Sequence, residues 1–204
     1  MHTLVERRHP ALRQTAKEVP KEEIATPRLR KILKDMKKAL HAEDDSVAIA
    51  APQIGVPLRI FIVSGRAFEL GGKDGLYDEN MKAHAIKKKI TKKDLVCINP
   101  KIKKESKDSA WMIEGCLSLR WLYGSVRRKK KTTIEAYDEN GKKFTRGGSG
   151  LLAQIFQHET DHLNGVLFTD KAREIENIPP ELQRAHKESH FPRLPVGRQV
   201  RNST

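Results

Sequence analysis

The sequence predicts an α+β fold in which antiparallel or mixed β-sheets pack around a central α-helix that carries a metal-binding motif. Three observations point there. Residues 151–165, LLAQIFQHETDHLNG, read as a strongly apolar helix. Short runs rich in branched and aromatic residues read as strands, two of them joined as a hairpin around a turn-rich tetrad. A second, amphipathic helix lies near the N-terminus.

In chain order, an extended N-terminus leads to Thr26 and Pro27, which read as an N-cap and first helical position. Leu29, Ile32, Leu33, Met36 and Leu40 then recur at helical spacing as far as about Glu43. Residues 46–55, SVAIAAPQIG, are small and apolar and suit a loop or short strand packed closely against a neighbour. Residues 58–64, LRIFIVS, have strand composition. The glycine- and lysine-rich stretch 65–94 shows little periodicity and reads as a long surface excursion without chemistry. Residues 95–99 resemble a short strand closed by Pro100, with Cys97 as a buried small hydrophobe. Residues 131–137 and 142–145 form the hairpin around Asp138, Glu139, Asn140 and Gly141.

Glycines at 147–150 break the chain before the apolar helix, which Gly165 can end in a left-handed conformation. From about Ile178 the composition turns to Pro, Arg, His and Ser. We expect a catalytic unit at residues 1–170 and a basic C-terminal extension at 171–204, its last dozen or so residues disordered.

A chain of 204 residues with 37% apolar content fits one globular unit, its mean hydropathy of -0.63 reflecting lysine-rich surface segments. No run approaches the roughly 20 apolar residues that cross a bilayer, and MHTLVERRHP lacks the apolar core of a signal peptide. A cytoplasmic monomer without membrane contact is expected. Two cysteines are too few for a disulfide scaffold. The net charge of +14 favours encounter with polyanions, including transient contact with ribosomal RNA. The clusters at 87–89 and 127–131 lack interleaved aromatics and read as solvated surface.

His158, Glu159 and His162 fit His-Glu-x-x-His. Four residues apart on a helix, both imidazoles reach one cation, while Glu159 is placed to touch a water beside it without being a ligand. Burying these groups among Leu151, Leu152, Ile155 and Phe156 without partners would cost several kcal/mol, roughly what an isolated buried polar group costs. Cys116, in EGCLS at 114–118, offers a thiolate, and one cysteine with two histidines leaves a coordination position open.

These motifs, with SVAIAAPQ at 46–53 and QHETDH at 157–162, resemble the ordered GxGxAAxQ, EGCxS and QHExDH of peptide deformylases. The resemblance covers nearly everything from His9 to Asp170 outside the 65–94 stretch. It implies metal-dependent removal of the N-formyl group from N-terminal formylmethionine, with Cys116, His158 and His162 as ligands and Glu159 as acid-base catalyst. It also implies an oxyanion site from Gln53 and the Leu117 N–H, and a cleft lined by Val47, Ala48 and Ile49. Leu151, Gln154 and Ile155, on the His158 side of the helix, are expected around the methionine side chain. Fe(II) is the metal favoured by resemblance, with Zn(II), Ni(II) and Co(II) suited to the same ligands.

Ser46 and Ala48 stand where the family has glycines, and Leu119, Arg120 and Trp121 replace a segment in which many members carry proline. Two other readings use the same residues. A zincin-like metallopeptidase would take its third ligand downstream of the helix, where none stands out. A catalytically inactive relative acting on ribosomal RNA would have no need of an intact Gln53, Cys116, His158, Glu159 and His162.

Overall fold

Two sheets and two long helices account for about half of the described residues in the computed structural model, which describes residues 3–43, 46–70 and 92–179. Helix α1 is Pro27–His41, opened as expected by the Thr26 hydroxyl accepting the Leu29 N–H at 3.3 Å, with Pro27 in the first turn. Strands β1 (Ala48–Ala50) and β2 (Ile60–Val63) flank a 3-10 turn at Ala51–Ile54. Helix α2 (Gly65–Leu70) follows, then β3 (Leu95–Glu105), β4 (Ser109–Gly115), β5 (Leu122–Lys129), β6 (Lys131–Tyr137), β7 (Lys143–Ser149), α3 (Leu151–Leu163) and β8 (Arg173–Asn177).

The larger sheet has the order β1-β2-β3-β6-β7 and the smaller one β4-β5-β8. Every described strand pair is antiparallel; the one parallel contact is an isolated bridge between Lys17 and Leu58. The α+β expectation holds, with antiparallel rather than mixed sheets.

Strand alternation builds the core. Ile49, Ile60, Ile62 and Ile98 face the apolar stripe of α1. Ala48, Ala50, Phe61, Val63 and Cys97 face Leu151, Ile155, Phe156 and Leu163 of α3. The larger sheet is thus held between α1 and α3, and each fully buried Ile or Phe contributes roughly 1.5–3 kcal/mol. Cys97 is the buried hydrophobe that the sequence predicts, and burial pushes its thiol pKa well up.

Several boundaries differ from expectation. β3 does not stop at Pro100 but continues to Glu105. The proline is tolerated because the register slips between Ile98 and Lys101, and a bulge needs no N–H there. The bend is held by Asn99, at φ 51, whose side chain pairs with both the Val19 N–H and C=O at 2.8 Å. The 65–94 stretch is not one featureless excursion: α2 buries Ala67 and Leu70, and Asp94 accepts the Gly65 N–H at 3.0 Å. Its interior, 71–91, lies outside the described residues, as do the basic cluster at 87–89 and the expected tail from 180. β8 extends the smaller sheet beyond residue 170, where the catalytic unit was expected to end.

Gly147 and Gly148 belong to β7, which passes through Gly150 directly into α3. Gly165 ends α3 at φ 73, and a Cβ there would meet the Arg13 carbonyl oxygen at 2.7 Å. Gly165→Ala is therefore expected to destabilise the fold by about 1–3 kcal/mol in urea unfolding, through backbone strain and that collision. A loss below about 0.5 kcal/mol, the usual range for an innocuous surface change, would mean that the turn is not held as described.

Candidate active site

Cys116 emerges from β4, and His158 and His162 project from one face of α3. Their ligand atoms, one sulfur and two imidazoles, all lie within 4.8 Å of one another. Cys116 Sγ is 3.3 Å from His162 Nε2, and the two rings meet edge to face at 4.9 Å. Burial, aided by the His158 charge, pushes His162 well below the usual imidazole pKa, so it is neutral with a lone pair to give. This donor set fits a divalent metal with a coordination position left over.

His158 is oriented from behind. Its Nδ1 lies 2.8 Å from Glu114 Oε2, which leaves Nε2 for the site. Although burial acts to lower the His158 pKa, the Cys116 and Glu114 hydrogen bonds and the Glu114 charge hold it well above the ordinary value. Glu114 is gripped by Arg128, whose Nε and Nη2 donate to its two oxygens at 2.7 and 2.9 Å. Burial alone would raise the Glu114 pKa; Arg128 and His158 outweigh it and hold the carboxyl at about 2. Arg128 Nη1 then donates to Asp161 at 2.6 Å, and Lys171 donates to the other Asp161 oxygen at 2.7 Å.

Glu114, Arg128 and Asp161 have no role among the sequence expectations, and Arg128 corrects one of those expectations. Residues 127–131 were expected to be solvated surface, but the Arg128 side chain is 4% exposed. β5 alternates, turning Gly124, Val126 and Arg128 inward. One signal was available: Asp161, in a largely buried helix, requires a counter-charge.

Glu159 is 4% exposed, and its Oε2 has no hydrogen-bond partner among the described residues. Burial, partly offset by the His158 charge, pushes its pKa up to about 7, the range of a working acid-base group. Gln53 is fixed in orientation because its Oε1 accepts the Ala50 N–H at 2.8 Å. Its Nε2 therefore faces Cys116 Sγ, at 3.4 Å. Leu117, the next residue, packs against the α1 core, and its N–H pairs with no described acceptor.

The cleft expectations divide. Val47, Ala48, Leu151 and Ile155 come together in the cluster between β1 and α3. Ile49 does not join them: it is fully buried on the opposite face of β1, against α1, because alternate strand residues point apart. Gln154 does not turn its amide into that cluster. Its Nε2 donates to the Ile113 carbonyl at 2.8 Å, tying α3 to β4 just before Glu114. Gln157 ties the same helix to β5, its Oε1 accepting the Lys129 N–H at 2.9 Å and its Nε2 donating to the Lys129 carbonyl at 3.0 Å.

The residues that depart from the motifs are accommodated. Neither Ser46 nor Ala48 has a positive φ, so neither position requires glycine. Ser46 closes the end of α1 by donating to the Leu40 and Glu43 carbonyls. Arg120 pairs with the Glu43 carboxylate and lies 5.8 Å from the Trp121 ring, so the segment after Cys116 is tied to the segment before β1. Trp121 itself sits at φ 67, an uncommon conformation for a bulky residue, anchored by its carbonyl accepting the Ile178 N–H at 2.8 Å.

Comparison with known proteins gives a consistent result. Residues 1–177 match the family described as polypeptide deformylase. Peptide deformylase 2 of Clostridium acetobutylicum is 36% identical over 153 residues, covering 74% of this chain and 84% of that protein. The chloroplastic peptide deformylase 1A of Solanum lycopersicum is 34% identical over 185 residues, covering 87% of this chain; the chain spans 64% of that relative's length. A peptide deformylase from Synechococcus elongatus, solved in complex with actinonin, superposes with a TM-score of 0.66 at 29% identity, covering 94% of this chain and 87% of that one. Peptide deformylase 1B of Arabidopsis thaliana, in complex with an inhibitor, gives a TM-score of 0.67 at 30% identity, covering 91% of each.

Proposed function

Because the chain belongs to the polypeptide deformylase family, we propose that Cys116, His158 and His162 hold its divalent metal and that Glu159 moves the protons of deformylation. Members of the family are metal-dependent hydrolases that remove the N-formyl group from nascent peptides, and this chain is an enzyme of that class. The observation that carries the residue roles is a buried carboxyl, Glu159, beside a Cys-His-His cluster whose cysteine is touched by the Gln53 amide.

A bound divalent metal supplies Lewis acidity and lowers the pKa of water from about 16 towards 7. The remaining work belongs to the chain. Glu159 accepts a proton from the attacking water, whose oxygen adds to the formyl carbon. The carbonyl oxygen gains negative charge, which the Gln53 Nε2 and the Leu117 N–H are placed to stabilise; one such donor is typically worth about 3 kcal/mol. Glu159 then passes the proton to the amide nitrogen, the C–N bond breaks, and formate leaves a free N-terminal methionine. Glu114 keeps the Nδ1 proton of His158 in place throughout.

Ala48 and Ala50, small and on the α3 side of β1, support selectivity for formyl, since small side chains there suit hydrogen on the carbonyl better than a longer acyl chain. Val47, Leu151 and Ile155 enclose the methionine side chain. The enzyme works in the cytoplasm as a monomer, and its charge of +14 supports transient contact with ribosomes.

The test is formate release from formyl-Met-Ala-Ser, set against casein cleavage. Formate without casein cleavage is expected; casein cleavage without formate would restore the zincin-like reading, although Cys116 lies upstream of α3 and not downstream. For the metal we propose Fe(II), since a thiolate with two imidazoles accommodates it. Protein purified without oxygen is expected to contain iron in equal amount and to lose activity in air. Zinc in equal amount, with activity stable in air, would overturn that choice.

A further inference from the structure

The smaller sheet carries all three of the exposed large apolar side chains among the described residues: Trp111 at 47%, Ile113 at 57% and Ile175 at 45%. Trp111 and Ile113 are two apart on the edge strand β4 and so share its outer face. In the antiparallel register Trp111 lies directly across from Arg127, which is exposed. From β8 the exposed Arg173 places its guanidinium 4.7 Å from the centre of the Trp111 ring. Neither arginine has a salt bridge among the described residues. In the linear sequence the basic run at 127–131 has no aromatic neighbour; folding supplies one from the facing strand.

We propose that this outer face binds single-stranded RNA, with Trp111 as a stacking platform for a base and Arg127 and Arg173 as the contacts for flanking phosphates. The site is separate from the metal centre, since Glu114 and Arg128 point through the other face of the same sheet. A flat indole beside unpaired guanidinium groups is the combination that holds unpaired bases without regard to sequence. Arg127 and Arg173 flank Trp111 and make that end of the patch basic, although β8 also carries the exposed Glu174 next to Arg173. Its other acidic residue, Glu176, faces Tyr123, opposite Gly115, four residues away along β4 and so about 13 Å from Trp111. Ile113 supplies apolar contact for a ribose or base next to the stack. The net charge of +14 draws the polyanion in, and the patch gives it a place to rest.

The test uses metal-loaded, full-length enzyme and a fluorescently labelled single-stranded oligouridylate, with binding read by anisotropy across a salt series. Trp111→Ala is expected to weaken binding about tenfold while formate release stays at the wild-type rate. Arg127→Ala and Arg173→Ala are each expected to weaken binding and flatten the salt dependence by about one charge. In a Trp121→Phe background, oligouridylate should quench the remaining Trp111 fluorescence. Arg30→Ala removes the same charge from an exposed position on α1, and its binding should stay close to wild type. The proposal is overturned if Trp111→Ala binds as well as wild type, or if Arg30→Ala weakens binding as much as Arg127→Ala, which would make the attraction diffuse. It is equally overturned if the enzyme is a dimer that Trp111→Ala converts to monomer, which would make a second copy the occupant.

Discussion

Glu159→Ala is expected to eliminate measurable formate release while the protein still purifies with its metal. A positioned acid-base group contributes typically about 10²–10⁴ in rate, and here one carboxyl serves both proton transfers. Metal retention is expected because the proposed ligands are Cys116, His158 and His162 and not Glu159. Folding should survive, because Oε2 has no hydrogen bond among the described residues to lose, and an alanine replaces a buried carboxyl that burial already disfavours as an anion. Glu159→Gln keeps the shape without a proton acceptor and should be as inactive. The measurement is kcat for formyl-Met-Ala-Ser alongside metal content by elemental analysis. Activity within tenfold of wild type, with metal bound, would remove Glu159 from the mechanism.

Arg128→Met has the largest expected effect on stability, about 3–5 kcal/mol in denaturant unfolding. The loss comes from leaving Glu114, 2% exposed, as a buried charge that only His158 still contacts as an ionisable partner. Asp161 is better placed, because Lys171 still neutralises it from the surface. The sign of the pH dependence follows. Glu114 sits at about 2 in the folded protein against an ordinary value of 4.5. The stability it contributes is present above 4.5 and is lost as pH falls from there towards 2. In Arg128→Met that acid-side loss should shrink but not vanish, because Arg128 no longer depresses the carboxyl while His158 still does. Replacing both partners, Arg128→Met with Glu114→Leu, should recover much of the stability, since an apolar pair tolerates burial. Metal affinity should nevertheless remain reduced by about 10–100-fold, because His158 has lost the carboxylate that orients it. Full metal affinity in the double variant would show that Glu114 serves packing alone.

The Cys116, His158 and His162 cluster was legible for two reasons: helical spacing puts the two histidines on one face, and EGCLS, unremarkable alone, marked Cys116 through its likeness to a family motif. The start of α1 at Thr26 and Pro27 and the end of α3 at Gly165 were legible because caps depend on a few neighbouring residues. The charge line from Glu114 through Arg128 to Asp161 was not. It depends on which residues of β4 and β5 face inward, and a run such as RRKKK gives no alternation from which to read that. Ile49 shows the complementary difficulty: the all-apolar stretch around it shows no polar alternation, so which face of β1 it would occupy was hidden until β2 and β3 paired beside it. β3 ran through Pro100 because a bulge removed the need for the missing N–H, and a bulge is a property of two strands together.

The Asp94 carboxylate that accepts the Gly65 N–H also contacts His41 of α1, at 2.9 Å. The two ends of the stretch that begins at α2 are therefore fastened to each other and to the core at a fixed span. The exit from β2 and the entry to β3 are thus pinned to α1 by one carboxylate, which holds the ends of these paired strands together independently of their own ladder.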